Sequence, residues 1–449
     1  MNGVNSNRLL HIITARVPEG VEWLDEIHVI GGNCLHGNIT VQGSKNTVLP
    51  LMAGALLHRG IIVLKACPRI TDVFYMEEIL RALGAETWWE DHDLYLNCTH
   101  ADGSHVPETY SGRMRSSIIL LGPLLARNGR AEIGYPGGCV IGKRPVDLHL
   151  YVLKSFGAEI KEEEKKITVS CKNLCGTEIV FSKRSVGATE QAILCATLSK
   201  GATILRNCAR EPEIVWLCRF LNAMGAKIEG AGDECICIEG TEKLCGTKMQ
   251  IPADRIVTGT YLCAAAATRG RIVIENAPEG ELDAFLQVYR KMGGQYEWNS
   301  GKLIADGSRV RFSLPFLETE VYPGFPTDLQ SPLLAVLATV PGKSIIKENI
   351  FENRFKVCHE LKKMGADIRV DGDTAVVCGG KLYGSCVYAE ELRGGAALLV
   401  AALAAEGGSV IRGCSFIRRG YEDIGGDLKK LGGLITEDTG TVFYENIQL

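Results

Sequence analysis

The sequence predicts an α/β protein of two similar domains, each built from three repeats of one α/β unit. Its helices should be buried and surrounded by sheets and helices, as an inside-out α/β barrel. Three observations carry the prediction. A phrase of the form apolar-x-x-apolar-Gly-Ala/Gly-x-apolar occurs six times, as LRALGAETW, LKSFGAEIK, LNAMGAKIE, YRKMGGQYE, LKKMGADIR and LKKLGGLIT. Six further stretches, rich in Ala and Leu, end near Gly60, Gly129, Gly201, Gly270, Gly342 and Gly407. Both sets keep a period of roughly 70 residues and stay in register with each other. Finally, no Gly-x-Gly-x-x-Gly lies between a strand and a helix, which argues against a dinucleotide-binding fold.

Within each repeat the glycines at 84, 157, 225, 293, 365 and 432 read as caps that end a helix before a strand. In the first Ala/Leu-rich stretch, Val48, Leu49, Leu51, Met52, Ala55 and Leu56 give a wide apolar stripe at helical spacing. Short alternating runs such as Ile39-Thr40-Val41-Gln42 read as strands. Three repeats per globule place the catalytic-loop domain at residues 45–252. Residues 27–44 then join 253–449 in the second domain, and residues 1–26 form a loosely held extension. The site is expected in the cleft between the domains.

Buried helices running side by side bring their N-termini to one end of a domain, where their partial positive charges favour an anion. The starts of these helices hold Ser44-Lys45-Asn46, Arg115, Ser185-Val186-Gly187, Asp254-Arg255, Asp328 and Glu391-Leu392-Arg393. Taken singly, such residues can be caps. Lysine and arginine at a helix start oppose the dipole, however, and an anionic ligand would resolve that conflict.

Composition narrows the function. A net charge of -4 argues against a nucleic-acid protein. Seventeen cysteines, an odd number and singly scattered, fit a reducing cytosol better than a disulfide framework. Neither Cys171 with Cys175 nor Cys235 with Cys237 has the spacing or the nearby histidines of a zinc site. No metal and no cofactor are expected. The N-terminal stretch MNGVNSNRLLHIITARVPEG has apolar runs too short for a signal peptide or a membrane span.

One cysteine stands apart. Tyr135 to Gly142 is a Pro/Gly-rich loop, exposed and mobile by composition, with Cys139 near its middle and Lys143 and Arg144 just downstream. Nearby cations lower a thiol pKa towards neutrality and make it an effective proton donor or nucleophile. Other cysteines, such as Cys195 in Ile193-Leu194-Cys195-Ala196, sit in apolar surroundings and read as core.

Here the sequence resembles the UDP-N-acetylglucosamine 1-carboxyvinyltransferase family of enolpyruvyl transferases. The resemblance rests on GSKN at 43–46, PGGCVIGKRPVDLH at 136–149, SVGAT at 185–189 and REPEIV at 210–215. FPTD at 325–328, ENRF at 352–355 and RGYE at 419–422 extend it from about Ile27 to the C-terminus. It implies transfer of the enolpyruvyl group of phosphoenolpyruvate to the 3′-hydroxyl of UDP-N-acetylglucosamine, with release of phosphate. That is a cytoplasmic step of peptidoglycan precursor synthesis and a target of fosfomycin. The partners implied are these two small molecules, not nucleic acid or membrane.

Carried over by position, the resemblance makes Cys139 the acid that protonates the methylene carbon and Asp328 the base on the sugar hydroxyl. Lys45, Arg144 and Arg419 would clamp phosphate, while Arg354 and Asn46 would hold the carboxylate or the intermediate. Arg115, Arg144, Pro145, Val146, Asp147, Leu148, Lys183, Arg184, Ser185, Val186, Asp328 and Ile350 would line the nucleotide-sugar site. Asp328 can also be read as the N-cap of the following helix, and His149 as structural. The family usually has aspartate where this chain has Glu391, so the carboxylate there is expected to sit differently. Two alternatives remain: a sister enzyme acting on shikimate 3-phosphate, and a catalytically silent nucleotide-sugar-binding paralog.

Overall fold

The computed structural model describes residues 25–137, 141–142 and 145–439. The six Ala/Leu-rich stretches form helices Lys45–Ala55, Leu121–Asn128, Val186–Thr197, Arg255–Ala267, Gln330–Leu337 and Leu392–Ala404. They are central: every residue of Arg255–Ala267 is buried, as is all of Leu392–Ala404 except its last alanine. Small side chains allow this, because alanine and glycine let helices and sheets approach without leaving voids. Four of the six start on a side-chain cap, from Ser44, Ser185, Asp254 and Glu391. The other two continue from tight 3-10 turns, Arg115–Leu120 and Thr327–Leu329.

The second set of helices spans Thr71–Ala82, Asp147–Ser155, Pro212–Ala223, Asp283–Lys291, Val357–Lys363 and Ile424–Lys430. Each is followed by one of the repeat glycines, Gly84, Gly157, Gly225, Gly293, Gly365 or Gly432, with φ between 86° and 102°. That left-handed conformation strains any residue with a Cβ, which is why the same residue recurs six times.

Among the described residues six separate four-stranded sheets surround the helices, and none closes into a barrel. In all six an edge strand pairs parallel to its neighbour and two antiparallel pairs complete the sheet. In one of them, the N-terminal strand Asp25–Ile30 lies between Gly408–Arg412 and Leu434–Thr439. The strands alternate: in Cys235–Glu239, Ile236 and Ile238 face the core. Fully burying such a side chain contributes about 1.5–3 kcal/mol.

The buried side chains divide into two cores. One gathers apolar residues between Val48 and Ile251, the other those at 27–41 and 253–435. Two edge strands are exchanged between them. His36–Thr40, just before the first helix, pairs with Arg271–Glu275. Lys248–Gln250, just before the fourth, pairs with Ile61–Lys65. The chain crosses twice at this point, and the crossings are tied by Ser44 N to Pro252 O (2.7 Å) and Asp254 N to Gln42 O (2.9 Å).

Two local expectations shift. The strand expected over Ile39–Gln42 is His36–Thr40, because Val41 and Gln42 already belong to the crossing. Asp25 and Glu26, assigned from sequence to the extension, are the first residues of a strand. Among the described residues, no helix is long and apolar enough to cross a membrane.

Candidate active site

The starts of the buried helices open onto a cavity of about 860 Å³ lined by residues of both cores. Its walls include Lys45, Asn46, Arg115, Pro145, Asp147, Leu148, Lys183, Arg184, Ser185, Val186, Asp328, Ile350, Arg354 and Arg419. Val146, at the N-cap position of the 147–155 helix, lines an adjoining cavity that shares Arg115, Pro145 and Asp147. Cys139, Lys143 and Arg144 lie outside the described residues. Their described neighbour Ile141 lines the main cavity, and its carbonyl accepts a hydrogen bond from Asn353 N at 3.0 Å.

At one end, two cations from different cores converge on one carboxylate. Lys45 Nζ lies 2.7 Å from Asp72 Oδ2, while Arg419 donates through Nε to Oδ1 at 2.8 Å and through a terminal nitrogen to Oδ2 at 3.2 Å. Burial alone would push the Asp72 carboxyl up; Lys45 and Arg419 outweigh it and hold the group below its ordinary value. Sequence reasoning missed Asp72. As the second residue of the helix Thr71–Ala82 it looks like an ordinary first-turn acid, and Arg419 is 347 positions away.

Asp328 lines the same cavity. Arg354 donates to one of its oxygens and Arg393 to the other, the latter at 3.1 Å. Burial opposes ionisation, but Arg393 and Arg354 together keep the carboxyl well below the usual carboxylate range. Its alternative reading as an N-cap is corrected here. The cap position of the helix Gln330–Leu337 is Leu329, with no side-chain hydrogen bond, because both Asp328 oxygens are turned to the arginines. Glu391 caps its own helix through the backbone N–H groups of Arg393 and Gly394 and stands 3.6 Å from Arg354. Glu348, also missed, accepts from Thr327 Oγ1 and from the backbone N–H groups of Ile350 and Phe351, and so fixes the wall on either side of Asp328.

On the remaining wall, Arg115 donates to Pro145 O at 2.9 Å, Arg184 pairs with Glu234, and the Ser185 hydroxyl accepts from Ala188 N. His149 is buried, with Nδ1 against Gln191 Oε1 and Gly187 packed over its ring. Three carboxyls missed by sequence reasoning, Glu190, Glu211 and Glu213, also line the cavity, and Arg255 pairs with Glu213 at 3.4 Å. Burial first, then Glu213 and Glu211, push Glu190 up to about 8. Chemically, the cavity offers two groups of cations for an anionic ligand, and an ionised aspartate between arginines.

Comparison with known proteins follows the same lines. A family model described as EPSP synthase (3-phosphoshikimate 1-carboxyvinyltransferase) matches residues 29–428. UDP-N-acetylglucosamine 1-carboxyvinyltransferase 2 of Caldanaerobacter subterraneus subsp. tengcongensis is 43% identical over 410 residues, covering 91% of this chain and 98% of that protein. UDP-N-acetylglucosamine 1-carboxyvinyltransferase 1 of Symbiobacterium thermophilum is 43% identical over 420 residues, covering 92% and 95%. The crystal structure of the enolpyruvyl transferase NikO from Streptomyces tendae superposes with a TM-score of 0.84 at 25% identity, over 94% of this chain and 100% of that one. An EPSP synthase from Acinetobacter baumannii, at 19% identity and a TM-score of 0.69 over 92% and 100%, shares the fold.

Proposed function

The chain belongs to the UDP-N-acetylglucosamine 1-carboxyvinyltransferases, within the wider enolpyruvyl transferase family, and we propose that it carries out their reaction. It transfers the enolpyruvyl group of phosphoenolpyruvate to the 3′-hydroxyl of UDP-N-acetylglucosamine and releases phosphate. The observation that carries this reading is the convergence of Lys45 and Arg419, from different cores, on one buried carboxylate in a cavity that also holds Asp328 between two arginines. Such a cavity suits a small dianion and an alcohol brought together. The family model takes its description from the shikimate-phosphate enzymes, but identity of 43% over nine-tenths of the chain favours the nucleotide sugar. The domains divide in this reading as 45–252 and 27–44 with 253–449, closing over the substrates.

In the proposed chemistry the sugar hydroxyl adds to C2 of phosphoenolpyruvate while Cys139 delivers a proton to the methylene carbon. Asp328 accepts the hydroxyl proton. Loss of a proton from the new methyl group then expels phosphate and restores the double bond. A carboxyl held as low as Asp328 is a weak base while both arginines are on it. Arrival of the phosphoenolpyruvate carboxylate gives Arg354 a new partner, and Asp328 regains basicity at the step that needs it. Lys45, Arg144 and Arg419 neutralise the phosphate, and Asn46 orients the intermediate. Arg115, Pro145, Val146, Asp147, Leu148, Lys183, Arg184, Ser185, Val186 and Ile350 receive the nucleotide sugar. The product belongs to cytoplasmic peptidoglycan precursor synthesis, and fosfomycin is the expected inhibitor. The test is phosphate release from phosphoenolpyruvate with and without UDP-N-acetylglucosamine. Release that is independent of the nucleotide sugar, or needs shikimate 3-phosphate instead, would overturn the assignment.

A further inference from the structure

Arg419 ends the 3-10 turn Cys414–Arg419, in the second core, yet its guanidinium lies on Asp72 of the first. The three residues after it are fastened with unusual thoroughness. Gln42, on the crossing segment, donates through Nε2 to Gly420 O at 3.1 Å and accepts from Glu422 N at 2.8 Å, so one amide spans the turn. The Glu422 carboxylate then reaches across to the first core. One oxygen accepts the backbone N–H of Arg69 at 3.0 Å, and the other lies 2.7 Å from His92 Nε2. Arg69 immediately precedes Ile70, the N-cap of the helix that carries Asp72. Arg419 and Glu422 therefore grip the same helix start from two sides. Glu422 does not line the cavity, and its side chain is 26% exposed.

We propose that Glu422 is a latch that positions Arg419: it joins the two cores at the start of the helix Thr71–Ala82 and so holds the guanidinium where the phosphate group must bind. The idea rests on the reading of Arg419 as a phosphate ligand. An arginine on a glycine-containing turn loses rotamer freedom when it binds, and a latch that fixes the turn beforehand removes part of that cost from the binding step. Glu422 touches no reacting atom in this scheme. Its contribution goes through Arg419 alone, which separates it from a general structural role.

The experiment is steady-state kinetics of the full chain as wild type, Glu422→Ala, Glu422→Gln, His92→Ala and the double variant Glu422→Ala/His92→Ala. Glu422→Ala should raise KM for phosphoenolpyruvate about tenfold, the effect of losing one or two hydrogen bonds to a charged group. KM for UDP-N-acetylglucosamine should stay within about twofold, since Arg419 is assigned to the other substrate. Glu422→Gln, which keeps an acceptor for Arg69 N–H, should recover part of the loss. The double variant should be no worse than Glu422→Ala, because His92 acts through the same carboxylate. Equal losses for both substrates, additive losses, or an unchanged KM for phosphoenolpyruvate would each overturn the latch. If wild type releases no phosphate with UDP-N-acetylglucosamine, the functional reading fails instead. The latch is then judged by calorimetric titration with inorganic phosphate alone, where about tenfold weaker binding by Glu422→Ala supports it and equal binding refutes it.

Discussion

Replacing Asp72 by asparagine tests whether the anion site is held together by its own carboxylate. The substitution preserves shape and removes one negative charge from between Lys45, at 2.7 Å, and Arg419, at 2.8 and 3.2 Å. An exposed ion pair would contribute at most about 1 kcal/mol. Here the Asp72 side chain is 3% exposed and each cation 12%, so the three groups have little water to turn to. Removing one partner from a buried pair costs about 3–5 kcal/mol, because the remaining charge is left uncompensated. The opening of the cavity beside both cations places the expected loss near the lower end, about 3 kcal/mol. Added phosphate should restore more of the stability of the variant than of wild type, since an external anion then supplies the charge that asparagine lacks. Urea unfolding monitored by circular dichroism, with and without phosphate, reads both effects. A variant that unfolds with wild type, or that gains no more from phosphate than wild type does, would refute the reasoning.

Three other outcomes are expected. Burial keeps Glu190 protonated up to about 8, so the folded state holds a proton that the unfolded chain releases at ordinary carboxyl values. Stability from this group is therefore present in acid and lost as pH rises from about 4.3 towards 8, and Glu190→Gln should flatten that decline in unfolding midpoint measured across pH. Cys139→Ser should nearly abolish turnover at neutral pH, whereas Cys139→Asp should keep some activity shifted to lower pH and resist alkylation by fosfomycin; peptide mapping by mass spectrometry and pH–rate profiles check both. Activity should be unchanged in excess chelator, because Lys45, Arg144 and Arg419 supply the neutralising charge; a strict need for a divalent ion would overturn that assignment of the clamp.

Much of the architecture was legible because it is written six times. A glycine at φ near 90° after each outer helix leaves the same mark in the sequence at 84, 157, 225, 293, 365 and 432, and six coincident marks outweigh the ambiguity of any one. The partners of the two crossing edge strands were not legible. His36–Thr40 and Lys248–Gln250 are short and similar in pattern, and nothing local names Arg271–Glu275 and Ile61–Lys65 as the strands they pair with. The cavity-lining residues were readable where they sit at helix starts, as Lys45, Ser185 and Asp328 do. Those that serve through a distant partner were not. Asp72, Glu348 and Glu422 look like ordinary first-turn, strand-end and loop acids until the fold brings Arg419, Thr327 and His92 to them.

The cations at the helix starts bring these strands together. On sequence grounds they oppose the helix dipoles, and an external anion was expected to resolve the conflict. In the structure the protein supplies the anions itself: Asp72 to Lys45, Asp328 to Arg393, and Glu213 to Arg255. These are not simply caps, since Asp72 and Asp328 take their cations from separate elements while Asp254 and Glu391 cap the helices. An internal carboxylate solves the stability problem that a cleft full of cations creates, and it also sets how strongly those cations attract a substrate. A phosphate arriving at Lys45 and Arg419 meets groups already aligned but already partly neutralised, so its binding gains order and gives up some Coulomb attraction. In the reaction proposed above, the same trade at Asp328 has a chemical use, because a substrate carboxylate that draws Arg354 away would free the base. Under that proposal one arrangement accounts both for stability without ligand and for a base that becomes active only when the substrate carboxylate is bound.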